Sequence, residues 1–540
     1  MEEEKKEETI NEVQEEIKET PEKGKKSKKK GVLTTVIIVL VFVVAILGVA
    51  LGTKYFAKPK KTNKIQNTQK AVSELRLKGN SLEDFDLYFM KLENEKVNKV
   101  YSPLSIKYAL AMLNEGTAGD SHDQISAVIG DYKAKKYNNN EHMSFANALF
   151  IKNAFKDATK QTYIDKLSTD YDAEVIYDSF ENASNINSWI SNKTFKLIEQ
   201  LLDDDTVQQA QFFIVNALAI DMNWITRIQA SSAQLPEGMK QNRYSVKYLN
   251  ENYSDYISTI EGEEYPKMTF NGKENIKSVI VGASFNRYDI ITELGEDEIR
   301  RIVTEKYQEY LDNGGEDCGI DFEEFINAYI KNLGENYKKE AVSTDFSIYT
   351  DDEVKVFAKD LQTYDGTTLQ YIGIMPKETA LNKYIDDLTA EKVSGIIDKL
   401  KEVKYDNFKE GVVTNIKGNI PLFKYEFELQ LMDDLKKLGI NDIFNQNKAN
   451  LSNITSQKGM YIFSAKHKAN IEFSNDGIKA AAATAFGGAG AAKCGTFNYE
   501  FEVPVEKIDI TFDKPYLYII RDKTTGEVWF TGTVYNPIEA

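Results

Sequence analysis

The feature that most constrains this chain is a stretch of 23 residues without a charge near its start, Gly31 to Thr53, with the sequence GVLTTVIIVLVFVVAILGVALGT. As a helix, such a stretch is long enough to cross the roughly 30 Å hydrocarbon core of a membrane. Its length and its apolar character on all sides disfavour a helix buried in a protein core. A cleaved signal peptide is an alternative, because Gly48-Val49-Ala50 resembles a cleavage site. The sequence therefore predicts one N-terminal transmembrane helix over residues 31–53, with a cleaved, secreted form as the alternative.

Charged segments flank this stretch on both sides. Residues 1–30 consist largely of Glu and Lys, so they are expected to form a disordered tail. Six lysines from Lys23 to Lys30 face five from Lys54 to Lys64, and this small excess favours a cytoplasmic N-terminus under the positive-inside rule. Residues 54–79 form a polar linker. The globular domain of residues 80–540 is then expected on the extracellular face of a single-pass membrane protein.

The composition argues against several classes of protein. A formal net charge of −17 disfavours nucleic acid as a partner, because phosphate binding requires clustered Lys and Arg on the folded part. The chain has only two cysteines and three histidines, which leaves little material for a disulfide framework or a zinc site. These residues are Cys318, Cys494, His122, His142 and His467. We expect no metal and no cofactor.

Residues 80–540 contain helical patterns first and many short strand patterns later. The segments SLEDFDLYFMKL and SIKYALAMLNEGTAG have apolar residues at helical spacing, and the second ends at glycines. The segments FFIVNALAI, LQYIGIMP, KANIEF and YLYIIRD are rich in β-branched and aromatic residues and are bounded by turn residues. This order predicts an α+β domain.

An Ala- and Gly-rich stretch from Asn475 to Cys494, NDGIKAAAATAFGGAGAAKC, stands out in a chain rich in Lys, Glu and Tyr. Propensity alone predicts a short helix over Lys479–Ala485 followed by a flexible break at Gly487–Gly490. A phosphate-binding loop is disfavoured, because no Gly-Lys-Ser/Thr follows the glycines. Neither interpretation explains why the stretch lies so close to the C-terminus.

Four ordered motifs together resemble the serpins, the serine protease inhibitor superfamily. They are NKVYSPLSIKYALAML at 98–113, FFIVNALAIDMNW at 212–224, HKANIEFSNDGIKAAAATA at 467–485 and FDKPYLYIIRDKTTGEVWFTGTVYNP at 512–537. The resemblance extends from about residue 80 to the C-terminus. It implies a serpin-like fold with three β-sheets, several helices and an exposed reactive-centre loop.

The resemblance identifies the Ala- and Gly-rich stretch with the reactive-centre loop, at about residues 475–503. In the family, a protease attacks this loop with its own nucleophile and forms an acyl-enzyme. The cleaved loop then enters the central sheet as a new strand before that bond is hydrolysed. The expected hinge residues are Gly477, Ile478, Ala480, Ala481, Ala482, Ala483 and Thr484. In a strand, Ile478, Ala480, Ala482 and Thr484 would share the inward face.

The scissile bond and the hinge depart from the family pattern in part. Counting fourteen residues beyond Gly477 places the reactive bond at Ala491-Ala492, with Lys493-Cys494 as the alternative. The family usually has Glu where Asn475 stands and Thr where Ile478 stands. The stretch from Ala492 to Phe512 is longer than in the family by about a dozen residues, which leaves the exact bond open.

The resemblance also implies a polar cluster beneath the sheet, the shutter, through which the strands part. The matched positions are Ser102, Ser105, Asn216 and His467. For His467 alone the ordinary interpretation is a core histidine with satisfied hydrogen bonds. The three matched partners favour the shutter.

The match breaks between about residues 262 and 344, where an acidic insertion appears. Part of it, NGGEDCGIDFEEF, resembles a calcium-binding EF-hand loop with Asp317, Asp321 and Glu324 as candidate ligands. Gly315 stands where a ligand is needed, and Cys318 replaces the turn glycine. A solvated helical hairpin is therefore preferred over a calcium site.

The leading hypothesis is a monomeric, membrane-anchored serpin that inhibits a serine or cysteine protease and is not itself an enzyme. A triad hydrolase would need one of three histidines beside a nucleophile, and His467 is matched to the shutter. The alternative is a non-inhibitory serpin-fold binding or structural module on the cell surface.

Overall fold

Strands among the residues described by the computed structural model form three β-sheets, of six, seven and four strands. The described residues are 36–47, 75–92, 94–225, 228, 266–315, 319, 321–336, 343–474, 497, 499 and 501–537. All of them belong to one structural unit that begins at Thr35. The predicted α+β class with three sheets and several helices is confirmed.

The strands are β1 Val36–Leu47, β2 Lys99–Tyr101, β3 Met143–Lys152, β4 Ala173–Asp178, β5 Phe212–Met222, β6 Lys267–Phe270, β7 Lys273–Asn286, β8 Ser343–Thr350, β9 Val354–Asp360, β10 Leu369–Pro376, β11 Lys401–Lys404, β12 Val413–Pro421, β13 Phe423–Gln430, β14 Tyr461–Phe473, β15 Val505–Asp509, β16 Tyr516–Asp522 and β17 Val528–Val534.

The α-helices are α1 Asp84–Leu92, α2 Pro103–Glu115, α3 Gly119–Ile129, α4 Gln161–Tyr171, α5 Ser184–Lys193, α6 Asp204–Gln209, α7 Ile290–Leu294, α8 Glu296–Asp312, α9 Phe322–Asn336, α10 Leu381–Asp386, α11 Ala390–Ile397 and α12 Leu431–Lys437. Three short 3₁₀ helices cover Asn153–Ala158, Tyr405–Asn407 and Asp442–Phe444.

The six-stranded sheet has the order β13-β14-β1-β5-β3-β4. Its strands β5 and β14 contain the predicted strand segments FFIVNALAI and KANIEF, and both are hydrogen-bonded antiparallel to β1. Nearly every residue of β5 is buried, because both faces of this sheet are covered. Alternate residues of β5 therefore pack into two hydrophobic clusters, one on each face.

The other two sheets are built from later strands and from the C-terminal motif. The seven-stranded sheet has the order β11-β8-β9-β10-β16-β17-β2, in which the last long strands pair as an antiparallel hairpin. The four-stranded sheet has the order β15-β12-β7-β6, and β15 runs parallel to β12. In consequence residues 505–509, which follow the predicted reactive-centre loop, are hydrogen-bonded to this smaller sheet.

Helix α2 lies beneath the six-stranded sheet and is almost completely buried. Ser102 is its N-cap, because the Ser102 hydroxyl accepts a hydrogen bond from Ser105 N, and Pro103 occupies the first turn. The helix ends at Gly116. These boundaries agree with the helical pattern predicted for SIKYALAMLNEGTAG.

Residues 36–47 form a β-strand, whereas the sequence predicts a transmembrane helix over 31–53. The strand VIIVLVFVVAIL is dominated by Val and Ile, and such a run favours a fully buried strand as strongly as an apolar helix. Hydropathy along a short window cannot distinguish a buried strand from an apolar helix. Here hydrogen bonding to two neighbouring strands favours the strand. No helix in the described ranges is both long enough and apolar enough to span a bilayer.

The folded part begins slightly before residue 80. Leu77 is fully buried, and its backbone exchanges hydrogen bonds with Val128 and Asp131 at 3.0 and 2.9 Å. The end of the predicted polar linker, 54–79, is thus part of the packed domain.

Candidate functional site

The four residues predicted to form the shutter lie together between helix α2 and the six-stranded sheet. Ser102, Ser105, Asn216 and His467 are all fully buried. Ser105 Oγ donates to Asn216 Oδ1 at 2.5 Å, which ties the helix to strand β5. Ser102 N donates to His467 Nε2 at 3.1 Å, which ties the same helix end to strand β14. Two separate strands are therefore held to one helix N-terminus by polar contacts.

His467 is neutral in this environment. Burial lowers its pKa to about 3, because no solvent is available to stabilise the imidazolium. A neutral ring has one nitrogen without a proton, and Nε2 is the acceptor for Ser102 N. The protonated ring could not accept this hydrogen bond.

A fifth polar residue, Asn147 on strand β3, extends the cluster and was not predicted. Asn216 Nδ2 donates to Asn147 Oδ1 at 2.7 Å, and Asn147 Nδ2 donates to the carbonyl of Tyr171 at 2.8 Å. Asn147 also lies opposite Asn216 in the register of the two strands. The available signal was an Asn within the otherwise apolar strand MSFANALFIK, because a buried amide in such a strand needs polar partners.

The position between β5 and β14, directly above the shutter, is occupied by β1. Phe42 of β1 is in register with Asn216 on one side and with His467 on the other. Strand β1 runs antiparallel to both neighbours, over residues 37–47 with β14 and over residues 36–46 with β5, and the register with β14 shifts between Ala45 and Ile46. This position therefore accepts a strand of 12 residues whose direction is opposite to that of β14.

The predicted reactive-centre loop begins just after the end of β14. Trp224 is buried there, and its Nε1 donates to the carbonyl of Ser474 at 3.2 Å while its ring contacts Phe473. The predicted hinge and both candidate bonds lie outside the described residues, namely Gly477, Ile478, Ala480, Ala481, Ala482, Ala483, Thr484, Ala491, Ala492, Lys493 and Cys494. Trp224 belonged to a matched motif, but its contact with the start of the loop was not predicted.

Of the three EF-hand-like residues, Asp321 directly precedes helix α9 and Glu324 lies in its first turn. Asp321 caps helix α9, because its carboxylate accepts hydrogen bonds from the backbone of Glu323 and Glu324 at 3.0 and 3.2 Å. Asp317 lies outside the described residues. No group of three or more candidate metal ligands occurs in the described ranges. The predicted helical hairpin is present as α8 and α9.

Acid should destabilise the fold through His467. An unfolded histidine binds a proton near pH 6.5, whereas His467 in the fold does so only near pH 3. Between these values the unfolded state binds more protons, so stability falls as the pH falls. Lowering the pH from 7.5 to 5.0 should cost about 2 kcal/mol of unfolding free energy from this group. Urea unfolding at both pH values measures this loss.

The matched variants for this prediction are His467→Gln, which keeps an acceptor near the backbone of Ser102, and His122→Gln on the exposed side of helix α3. The first should lose this part of the pH dependence and the second should keep it. Equal pH dependence in His467→Gln and the parent would contradict the assignment.

Comparison with known proteins relates this geometry to one family. The model of the family described as Serpin (serine protease inhibitor) matches residues 84–281 and 328–537. The unmatched interval of 282–327 is narrower than the insertion of 262–344 expected from the sequence, and it contains helices α7 and α8.

Individual relatives are similar over most of the chain at low identity. Human Serpin B4 is 24% identical over 488 residues, which cover 84% of this chain and 97% of that protein. A serpin-like protein of Methanosarcina acetivorans is 24% identical, with 84% of each chain covered. Human leukocyte elastase inhibitor is 30% identical over 179 residues, or 32% of this chain and 42% of that protein.

Two solved structures share the fold. The thermophilic serpin tengpin in its native state has a TM-score of 0.52 and 17% identity, covering 90% of this chain and 97% of that one. Human thyroxine-binding globulin has a TM-score of 0.51 and 15% identity, covering 87% of this chain and all of that one. The same fold thus occurs in a protein named for binding a ligand.

Proposed function

Because the chain belongs to the serpin family, we propose that it is a suicide-substrate inhibitor that traps a serine or cysteine protease as an acyl-enzyme. One observation carries the proposal: the six-stranded sheet accepts a 12-residue antiparallel strand beside β14, the strand from which the reactive-centre loop departs. A cleaved loop that folds back on β14 would run in this same direction. The chain needs no catalytic residue, since the protease supplies the nucleophile.

The register of β14 supports the inward face proposed for the loop. His467, Ala469, Ile471 and Phe473 are buried, whereas the alternate residues Lys466, Lys468 and Asn470 are partly exposed. Residues opposite each other in an antiparallel pair share a face. If an even number of residues forms the turn after Ser474, then Ile478, Ala480, Ala482 and Thr484 oppose the buried set. Small side chains at Ala480 and Ala482 would enter this layer without a clash.

The energy of insertion is sufficient for the proposed mechanism. Once β1 has left the position beside β14, about a dozen inserted residues, each gaining net hydrogen-bond energy of roughly 0.5–1.5 kcal/mol, release on the order of 10 kcal/mol. The stability of a typical folded protein is about 5–15 kcal/mol. Insertion can therefore distort an attached protease that has ordinary stability.

Loop insertion requires that Val36–Leu47 leave the sheet, because one position cannot hold two strands. We propose that these residues then serve as the membrane anchor, with the N-terminus in the cytoplasm and the inhibitory domain outside the cell. The support is the uncharged stretch of 31–53 and the lysines on both sides of it. Retention of the full chain, but not of residues 75–540, in membranes washed at alkaline pH is the test.

The second candidate is a non-inhibitory binding module whose loop is cut without insertion. The occupation of the sheet position by β1 favours this candidate, because it blocks the loop. The small residues of the hinge favour the inhibitor, because they fit a strand buried between two others.

The deciding experiment is to incubate residues 75–540, and the full chain, with elastase-, subtilisin-, trypsin- and papain-type proteases. The shorter chain should form a covalent complex that survives denaturing gel electrophoresis, because its sheet position is open. The full chain should form less of it. Cutting without any complex in the shorter chain would support the binding module.

Mass spectrometry of the released fragment identifies the bond. A cut after Ala491 indicates proteases with small primary pockets, whereas a cut after Lys493 indicates trypsin-type proteases.

A further inference from the structure

Helices α8 and α9 form a hairpin, here called the insertion hairpin, whose apolar face packs against the chain just downstream of the reactive bond. Phe497 and Phe501 are each 8% exposed. They belong to one hydrophobic cluster with residues of both helices. The members from the two helices are Ile299, Val303, Tyr307, Phe325, Ile326, Tyr329, Ile330 and Leu333.

Phe497 is held by aromatic rings of the hairpin. Its ring centre lies 5.2 Å from that of Tyr307 and 5.5 Å from that of Tyr310, both on α8. The rings of Phe325 and Tyr329 on α9 lie 5.8 Å from it. The contacts with Tyr307, Tyr310 and Phe325 are edge-to-face, an arrangement that adds stability beyond the burial of apolar surface.

One hydroxyl of the hairpin binds the loop backbone in both directions. Tyr329 Oη donates to the carbonyl of Tyr499 at 2.7 Å and accepts from Tyr499 N at 3.3 Å. Tyr329 thus satisfies both backbone hydrogen-bonding groups of Tyr499. The next backbone contact, Val413 N to the carbonyl of Pro504 at 2.8 Å, already belongs to the junction with β12.

Gly315 lies against the ring of Tyr310, which contacts Phe497. A Cβ atom at Gly315 would lie 2.3 Å from this ring, so a larger residue would displace the ring. The two helices and the residues Phe497, Tyr499 and Phe501 are therefore one packed unit.

This unit joins two departures from the family pattern. The interval that the family model leaves unmatched, 282–327, contains α8. The stretch after Ala492 is longer than the family usually has, and it contains Phe497, Tyr499 and Phe501, which pack on the hairpin. A helix that the family model leaves unmatched and part of the longer stretch therefore pack in the same hydrophobic cluster.

We propose that the insertion hairpin is a clamp that sets the downstream end of the reactive-centre loop at Phe497, and that Tyr329 and Phe497 are positioning residues that decide which bonds a protease reaches. The inference rests on the proposed function for the role of the loop as bait. It shortens the loop predicted at 475–503 to about 475–496. Each residue by which the cut moves downstream adds about 3.3 Å to the chain that joins the inserted strand to the trapped protease. A longer connection would distort the protease less.

The test is limited digestion of full-length Tyr329→Phe and Phe497→Ala with subtilisin, with the cut bonds and their rates followed by mass spectrometry. Cutting between 497 and 504 tracks the population in which the clamp is open. It should accelerate about fivefold in Tyr329→Phe, which loses two hydrogen bonds. It should accelerate at least about tenfold in Phe497→Ala, which loses a buried ring.

Tyr349→Phe is the matched control. The hydroxyl of Tyr349 donates to Asp351 at 2.7 Å, and Tyr349 lies on strand β8, outside the hairpin. It should leave the pattern of cuts unchanged. Melting temperatures near that of the parent show that Tyr329→Phe acts locally. The proposed clamp would be refuted if both variants were cut at the same bonds and the same rates as the parent. Rapid cutting of the parent at 497–504 would also refute it.

The readout separates this inference from the proposed function. Cutting of the chain of residues 75–540 within 475–496 without a covalent complex would contradict the inhibitor and leave the clamp supported. A complex whose cut bond is unaffected by either substitution would support the inhibitor and refute the clamp.

Discussion

Cutting the reactive-centre loop between Gly487 and Cys494 should raise the melting temperature of a chain that begins at residue 75 by about 10 °C or more. Such a chain lacks Val36–Leu47, so β5 and β14 have an open position between them that the freed loop can fill. The added strand stabilises the sheet by on the order of 10 kcal/mol. For a domain of this size, 1 kcal/mol corresponds to roughly 1 °C. Differential scanning calorimetry before and after cutting measures the change.

The full chain provides the control for this prediction. Its position beside β14 is already filled by β1, so the same cut should shift the melting temperature much less. An unchanged melting temperature in the shorter chain would contradict loop insertion and favour the binding module.

Ala482→Arg should convert the shorter chain from an inhibitor into a substrate. In the proposed register residue 482 opposes Ala469, which is fully buried. A guanidinium placed there without an acidic partner costs several kcal/mol, which removes a large part of the driving force for insertion. The cutting rate should not fall, because the candidate bonds are about nine residues away. The number of inhibitor molecules consumed per trapped protease should rise several-fold, as measured by titration of residual protease activity.

Ala481→Arg is the matched control for this substitution. Residue 481 would oppose Asn470, which is partly exposed, so the added side chain can reach solvent. It should trap protease nearly as well as the parent. Equal trapping by both variants would refute the proposed register.

Much of the site was predictable because its parts are local. The capping Ser102, the apolar strand that contains Asn216 and the strand that contains His467 each leave a short pattern in the sequence. Their meeting was expected only from the resemblance to a family. Asn147 was missed because a single Asn in an apolar run gives no indication of its partner 69 residues away.

The remaining differences involve long-range partners. Val36–Leu47 is apolar enough for a lipid bilayer or for the interior of a sheet. Its strand conformation depends on the edges of β5 and β14, which are more than 160 residues away in the sequence. The hairpin was expected as a helix pair facing solvent. Its apolar face, however, is packed against Phe497, which is distant from both helices in the sequence.

The double pairing of β1 has a consequence for how the molecule behaves in concentrated solution. Backbone N–H and C=O groups along an unpaired strand are a template on which strands from other molecules can add. With Val36–Leu47 in place, the facing edges of β5 and β14 are saturated. Removing this segment uncovers both edges, and any donor strand then competes for them, including the reactive-centre loop of a second molecule. The N-terminal strand is thus a shield against self-association, and a chain that starts at residue 75 should be kept dilute and its oligomers measured by light scattering.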